Sequence, residues 1–263
     1  MLGQATARLQ PVPRRWILRL WGAADIHTRQ KWSALWPHLA QLPQAGVRLL
    51  DAGCGDGRWS LELAERRPGW QVTGIDITPS DIARAERTAR ALESRNASFD
   101  AVDFLRYQPS ERFDVVLAVA STHYLVEAGQ GGELFARFSD WLRPGGMLLL
   151  FGPRRAEEVP RLAHLPPPFR LRNVFSRGAL DALCRENGFD VASLTPAIGT
   201  LGTYAKQVSL GAGGSRTMSL VTYPLQLVLT SFDRIGSAGD GEVPSSAWVL
   251  VAHKRRQAAL RAD

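Results

Sequence analysis

Asp51-Ala52-Gly53-Cys54-Gly55-Asp56-Gly57 is the segment of this chain whose residue types and spacing point most directly to chemistry. It follows the apolar run Val47 to Leu50 and precedes Trp59, Leu61, Leu63 and Ala64 at helical spacing, so it joins a strand to a helix. In open α/β sheets ligands bind beyond the carboxyl ends of strands, and glycines there let the backbone approach them. A dinucleotide fingerprint runs GxGxxG toward a pyrophosphate, whereas these glycines run GxGxG with Asp51 two positions ahead of the first. A carboxylate repels a pyrophosphate and attracts a cation, so the pattern favours a ligand with a positive tail. Asp76 ends the next apolar run roughly twenty residues on, where an acidic side chain accepts hydrogen bonds from a ribose diol. An adenosine carrying a cationic tail satisfies both carboxylates.

The elements that must position these residues follow from periodicity. Gln71 to Ile75 reads as a strand ending at Asp76, Pro79 to Leu92 as a helix, and Ala97 to Val102 as a third strand ending at Asp103. Phe113 to Ala120 and Met147 to Phe151 read as buried strands, the second after the turn Pro144-Gly145-Gly146 and separated from the first by a helix from Gly132 to Leu142. A helix from Gly178 to Glu186, a strand from Phe189 to Leu194 and a closing strand from Ala247 to His253 complete the series. Alternating strands and helices imply a parallel sheet covered on both faces. Apolar positions at helical spacing between residues 14 and 41 predict two helices ahead of the sheet. The expected organisation is an N-terminal helical lid over residues 1–45 and a Rossmann-like, doubly wound, seven-stranded α/β domain over 46–263. An insertion at 195–246 before the last strand offers an acceptor pocket or an oligomer contact such as a homodimer face. The proline-rich Pro153 to Pro168 is a second candidate lid.

Five segments in order carry a family resemblance. VRLLDAGCGDG, VTGIDIT, FDAVDF, FDVVLAVAS and LRPGGMLLL, within residues 47–152, resemble the successive motifs of the class I S-adenosylmethionine-dependent methyltransferases of small-molecule type. The resemblance implies S-adenosylmethionine as cofactor and S-adenosylhomocysteine as product. It would place Asp51, Gly53, Gly55 and Gly57 around the methionine tail, Asp76 on the ribose hydroxyls and Ile77 on adenine. Asp103 would accept from the adenine amino group with Phe104 flanking it, and the backbone from Ala118 to Ala120 would line the sulfonium pocket. Each residue also has a plain structural use: a glycine loop makes a tight turn, and a strand-end aspartate caps the next helix.

Methyl transfer from a sulfonium is an in-line displacement, so the enzyme supplies alignment and, for a hydroxyl acceptor, a base. His123, just beyond the strand that would line the sulfonium pocket, is the first candidate base, with packing beneath a helix as its structural alternative. His27 and His164, in the two candidate lids, are further alternatives. Tyr124 and Tyr204 are candidates for shaping the acceptor site, while His38 and His253 read as structural. The fourth strand is not followed by the [N/D/S]-P-P-[Y/F] loop of similar amino-methylating enzymes. Neither Cys54, in the glycine loop, nor Cys184, on a distant helix, is placed as a nucleophile for pyrimidine C5. No magnesium-type Asp/Asn cluster is evident, and no metal is expected. The expected acceptor is therefore a small molecule: a hydroxyl of a specialised metabolite or sugar, or an activated carbon. RLWGAADIHTR and TYPLQLVLTSFD also resemble segments of bacterial methyltransferases of surface-glycan and lipid pathways, an alternative class.

With 263 residues the chain is long enough to bury a core without metal or disulfide staples, and two cysteines without a CxxC pair suit a reducing cytoplasm. The net charge of +7 comes almost wholly from arginine, since Lys31, Lys206 and Lys254 are the only lysines. The charge is scattered and not interleaved with aromatics, so no stable nucleic-acid partner is expected, with RNA methylation kept as the alternative that the basic pI of about 10.1 supports. Arginines interrupt the N-terminal apolar residues, against a signal peptide. Thr217 to Phe232 is too short and too polar to span a bilayer. A protein that binds the cofactor without transferring methyl is the rival from outside catalysis.

Overall fold

A computed structural model describes residues 26–154, 174–199, 201–203 and 245–256, with positions 205, 225, 228 and 230. Seven strands form one sheet: β1 (Ala45–Ala52), β2 (Gly69–Asp76), β3 (Ala97–Ala101), β4 (Phe113–Val119), β5 (Leu142–Pro153), β6 (Phe189–Gly199) and β7 (Ser245–Lys254). Helices α1 (Ile26–Ala40), α2 (Arg58–Arg66), α3 (Pro79–Ala91), α4 (His123–Glu127), α5 (Gly131–Trp141) and α6 (Arg177–Glu186) flank it. The spatial order is β3-β2-β1-β4-β5-β7-β6, so the chain reverses direction across the sheet between β1 and β4. That reversal is where a doubly wound sheet opens a crevice for ligand.

The central strands are apolar throughout because both faces are covered. Leu50, Ala52, Val116, Ala118, Leu148 and Leu150 share one core with Leu134, Phe135, Phe138 and Trp141 of α5 and Leu180 and Cys184 of α6. The intervening residues Leu49, Val115, Leu117 and Leu149 pack into the other, with Leu35 and Leu39 of α1 and Leu63 and Ala64 of α2. The period of two along each strand thus assigns successive side chains to opposite layers.

Three expectations change. The sheet is mixed, because β7 lies antiparallel to both β5 and β6. An apolar run such as Ala247 to Ala252 reads the same in either direction, so its sequence does not reveal this. The anticipated break at Thr195 is also displaced: β6 continues to Gly199, pairing Gly199 with Ser245, which shortens the insertion between the last two strands. The expected Pro144-Gly145-Gly146 turn is absorbed into β5 as a register irregularity against β4, with Gly145 at φ 80°.

The first anticipated N-terminal helix, the Pro153 to Pro168 lid beyond Arg154, and the residues His164 and Tyr204 lie outside the described residues, as does the His27 side chain. The second anticipated helix is α1. It is joined to the body by buried Leu35 and Leu39 and by Trp32, stacked on Trp59 of α2 with ring centroids 4.2 Å apart. Arg66 lies over the rings of both Trp32 and Trp36. Among the described residues no helix is long and apolar enough to cross a membrane.

Candidate active site

The glycine loop leaves β1 and is tied at once to its neighbour, for the amides of Gly53 and Cys54 both donate to the carbonyl of Ile75, at 2.8 and 3.0 Å. Gly53 has φ 79°, and a Cβ there would collide with Ser121 Cβ, lie 2.7 Å from Ser121 Oγ and approach Phe104 Cζ at 3.1 Å. Gly57, at φ 75°, caps α2, and a Cβ on it would fall 2.6 Å from Ala85 Cβ and 2.7 Å from the Phe99 ring. Both positions combine left-handed backbone with a crowded approach, which only glycine accommodates.

Asp76 holds the loop's far side. Its Oδ2 accepts from the Gly55 amide and its Oδ1 from the Thr78 amide, both at 2.9 Å. A carboxylate offers about four acceptor positions, so two such bonds fix its orientation and leave capacity for a diol. The next residue, Ile77, is 67 % exposed, an apolar side chain presented outward beside the charge. Asp76 pairs with Ala101 across β2 and β3, and the Val102 amide donates to the Asp76 carbonyl. The chain beyond β3 therefore delivers Asp103 to the neighbouring strand end. There the Asp103 Oδ1 accepts from Leu105 N at 2.9 Å, capping the short 3-10 turn Phe104–Arg106. The ring of Phe104 meets Trp141 edge-on at 6.4 Å while its tip abuts Gly53.

Asp51 is buried beneath the loop. It is 1 % exposed, and Ser60 Oγ donates to its Oδ2 at 2.6 Å. Burial pushes its carboxyl up to about 6, with the Asp76 charge adding to the rise and the Ser60 hydrogen bond opposing it. Its carboxyl lies beneath the glycine loop. Cys54 is also buried, with its Sγ against Gly74, and burial raises its thiol well above the ordinary range.

The end of β4 forms the opposite wall. Ala120 has φ 56°, rare for a residue with a side chain, and its amide donates to Phe151 O at 2.8 Å. Ser121 Oγ then donates to Ala52 O at 2.6 Å, reaching back to the start of the glycine loop. His123 opens α4 and is 6 % exposed; its ring lies 4.0 Å from that of Tyr124, which is 62 % exposed. Asp51, Gly53, Gly55, Gly57, Asp76 and Phe104 are thus joined by direct contacts or one intermediary, and Ala120 joins them through Ser121. The sequence positions of Ser60 and Ser121 do not single them out. For Ser121 the available signal is the serine that completes the FDVVLAVAS segment. Among the described residues no group of three or more His, Cys, Asp or Glu is placed to hold a metal ion.

The fit to an adenosine with a cationic tail is physical: open space at Gly55, an oriented carboxylate at Asp76, an outward apolar surface at Ile77, and the Asp51 carboxyl below. Comparison with known proteins agrees. Residues 24–194 match the family model described as a methyltransferase domain. The chain is 33 % identical over 109 residues to a ubiquinone biosynthesis O-methyltransferase of Bradyrhizobium diazoefficiens, covering 40 % of this chain and 39 % of the relative. It is 29 % identical over 123 residues to a trans-aconitate 2-methyltransferase of Streptomyces avermitilis, covering 46 % of this chain and 45 % of the relative. The chain therefore spans less than half the length of these curated relatives. A crystal structure of geranyl diphosphate C-methyltransferase from Streptomyces coelicolor A3(2) superimposes with a TM-score of 0.58 at 18 % identity, over 86 % of this chain and 80 % of that one, a likeness of fold. With its family model spanning most of the sheet and its glycine loop built as described, the chain belongs to the class I S-adenosylmethionine-dependent methyltransferases.

Proposed function

We propose that the protein transfers a methyl group from S-adenosylmethionine to a small-molecule acceptor in the cytoplasm, at an oxygen of a specialised metabolite or sugar or at an activated carbon. The observation that carries this reading is the junction of the glycine loop with Asp76, in which the Gly55 and Thr78 amides orient the carboxylate and Gly55 itself has open space beside it. Oxygen as the favoured acceptor atom is supported by the O-methyltransferase among the relatives.

When bound, the cofactor supplies a methyl group on a sulfonium. The protein's part is orientation and proton handling. Asp76 fixes the ribose end and Ile77 the adenine face, with Asp103 and Phe104 flanking. Asp51 adds attraction for the positive tail through the loop. The Ala118 to Ala120 backbone lines the transfer end. His123 takes the acceptor's proton as the bond to carbon forms, since its ring stands at the head of α4 immediately after that wall. Residues 1–45 and the 195–246 insertion serve as the acceptor's cover, with the insertion also available as a homodimer face, and no stable nucleic-acid partner is involved.

Calorimetric titration with S-adenosylmethionine and S-adenosylhomocysteine tests the site. Binding of both is expected, and binding of neither overturns the reading. A panel of hydroxyl, sugar and carbon acceptors, followed by mass detection of the added methyl, tests the acceptor class. Methylation confined to RNA, with steep salt dependence, would replace the small molecule.

A further inference from the structure

We propose that Ser121 is a positioning residue of the transfer, a latch that fixes the end of β4 against the glycine loop. Three observations converge on it. Its hydroxyl donates to the Ala52 carbonyl at 2.6 Å, across 69 residues of sequence. Its Cβ occupies the space that a side chain on Gly53 would need, so the two backbones are in direct apposition. Ala120, the residue before it, is held at φ 56°, a conformation that a non-glycine residue keeps only where its surroundings over-determine it. The Ala120 amide bond to Phe151 O secures the turn from the β5 side, and the Ser121 bond secures it from the β1 side.

The left-handed residue turns the chain out of β4 so that Ser121 faces β1 and His123 begins the next helix. Without the hydroxyl, the Ala52 carbonyl loses this bond, and among the described residues the walls are left with the Ser121–Gly53 apposition and the strand pairing that ends where Asp51 meets Leu117. The latch thus sets the separation between the cofactor loop and the wall that faces the reacting methyl. It rests on the assignment of that loop as the cofactor site.

The test is the affinity of S-adenosylhomocysteine for Ser121→Ala, Ser121→Cys and Ser121→Thr, measured by calorimetry well below the melting transition of each variant. A latch requires the hydroxyl: Ala and Cys weaken binding about fivefold or more, as expected for one lost hydrogen bond, and Thr restores most of it. Amide exchange at Gly53 to Gly57 in the ligand-free protein accelerates in the Ala and Cys variants and not in Thr. If the Cβ contact alone matters, Ala and Cys bind like the wild type and Thr, with its added methyl, binds worst, which overturns the latch. Wild-type protein that fails to bind overturns the site assignment first and the latch with it. Should Ser121→Ala not fold, Ser121→Cys, which keeps the volume, decides the question alone.

Discussion

The two walls of the site are built differently. On the β1–β2–β3 side, polar side chains are fixed by nearby backbone amides: Asp76 by Gly55 and Thr78, Asp103 by Leu105. On the β4 side, the geometry depends on one strained residue, one long-range serine bond and the His123–Tyr124 ring pair. The first wall suits a constant ligand, because its donors and acceptors are supplied by the strand ends themselves. The second suits a variable one, because it ends in a loop and short helix that carry exposed Tyr124 beside buried His123.

Variants separate the two walls, and the largest effect falls on the second. His123→Ala should lower turnover by about 10²- to 10⁴-fold, the range for a general base, with cofactor affinity little changed. Steady-state rates with an identified acceptor check this, and unaltered turnover returns His123 to packing. On the first wall, Asp76→Ala should weaken cofactor binding by about 100-fold, because two charge-assisted contacts and the ribose partner are lost together. Equal calorimetric affinity would reassign the second motif. Gly53→Ala strikes where the walls touch. It forces a side chain into left-handed backbone against Ser121, and about tenfold weaker binding with a lower melting temperature is expected.

The smallest effect is a pH dependence centred on Asp51. Its folded carboxyl is raised from 3.8 to about 6, so this group's contribution to stability is complete below the unfolded value and is lost as pH rises through about 6. A cation bound above it favours the ionised form. Cofactor affinity should therefore climb a few-fold as pH rises from about 5 to 7, while ligand-free stability from this group falls. Asp51→Asn should flatten both profiles. Melting curves and calorimetry across that range check it, and a profile unchanged by the substitution excludes Asp51 as the linked group.

Much of the first wall was legible because its signals are local. Gly53, Gly55 and Gly57 follow an apolar run and precede a helix, Asp76 ends a strand with alternating burial, and Asp103 follows two residues after the end of the next strand. The same locality explains why their plain structural roles also proved real: Asp103 caps a turn, and Asp76 accepts from Thr78 two residues on. The depth of Asp51 was not legible, since it depends on Ser60 rotating inward from the first turn of α2. Nor was the contact of Ser121 with Ala52, which no periodicity spans. The reversed direction of β7 was hidden for another reason. Trp248 to Ala252 is apolar on both faces, and pairing partners, not composition, decide its sense.

The stacked indoles of Trp32 and Trp59 have an optical consequence. Trp59 lies two residues beyond Gly57, and its ring is in contact with a chromophore on the helix that precedes the whole sheet. Any ligand that tightens the loop or shifts α1 alters the overlap of those two rings and the placement of the Arg66 guanidinium above one of them. Intrinsic ultraviolet fluorescence and near-ultraviolet circular dichroism thereby become label-free gauges of loop and helix together, with Trp32→Phe as the variant that silences the signal.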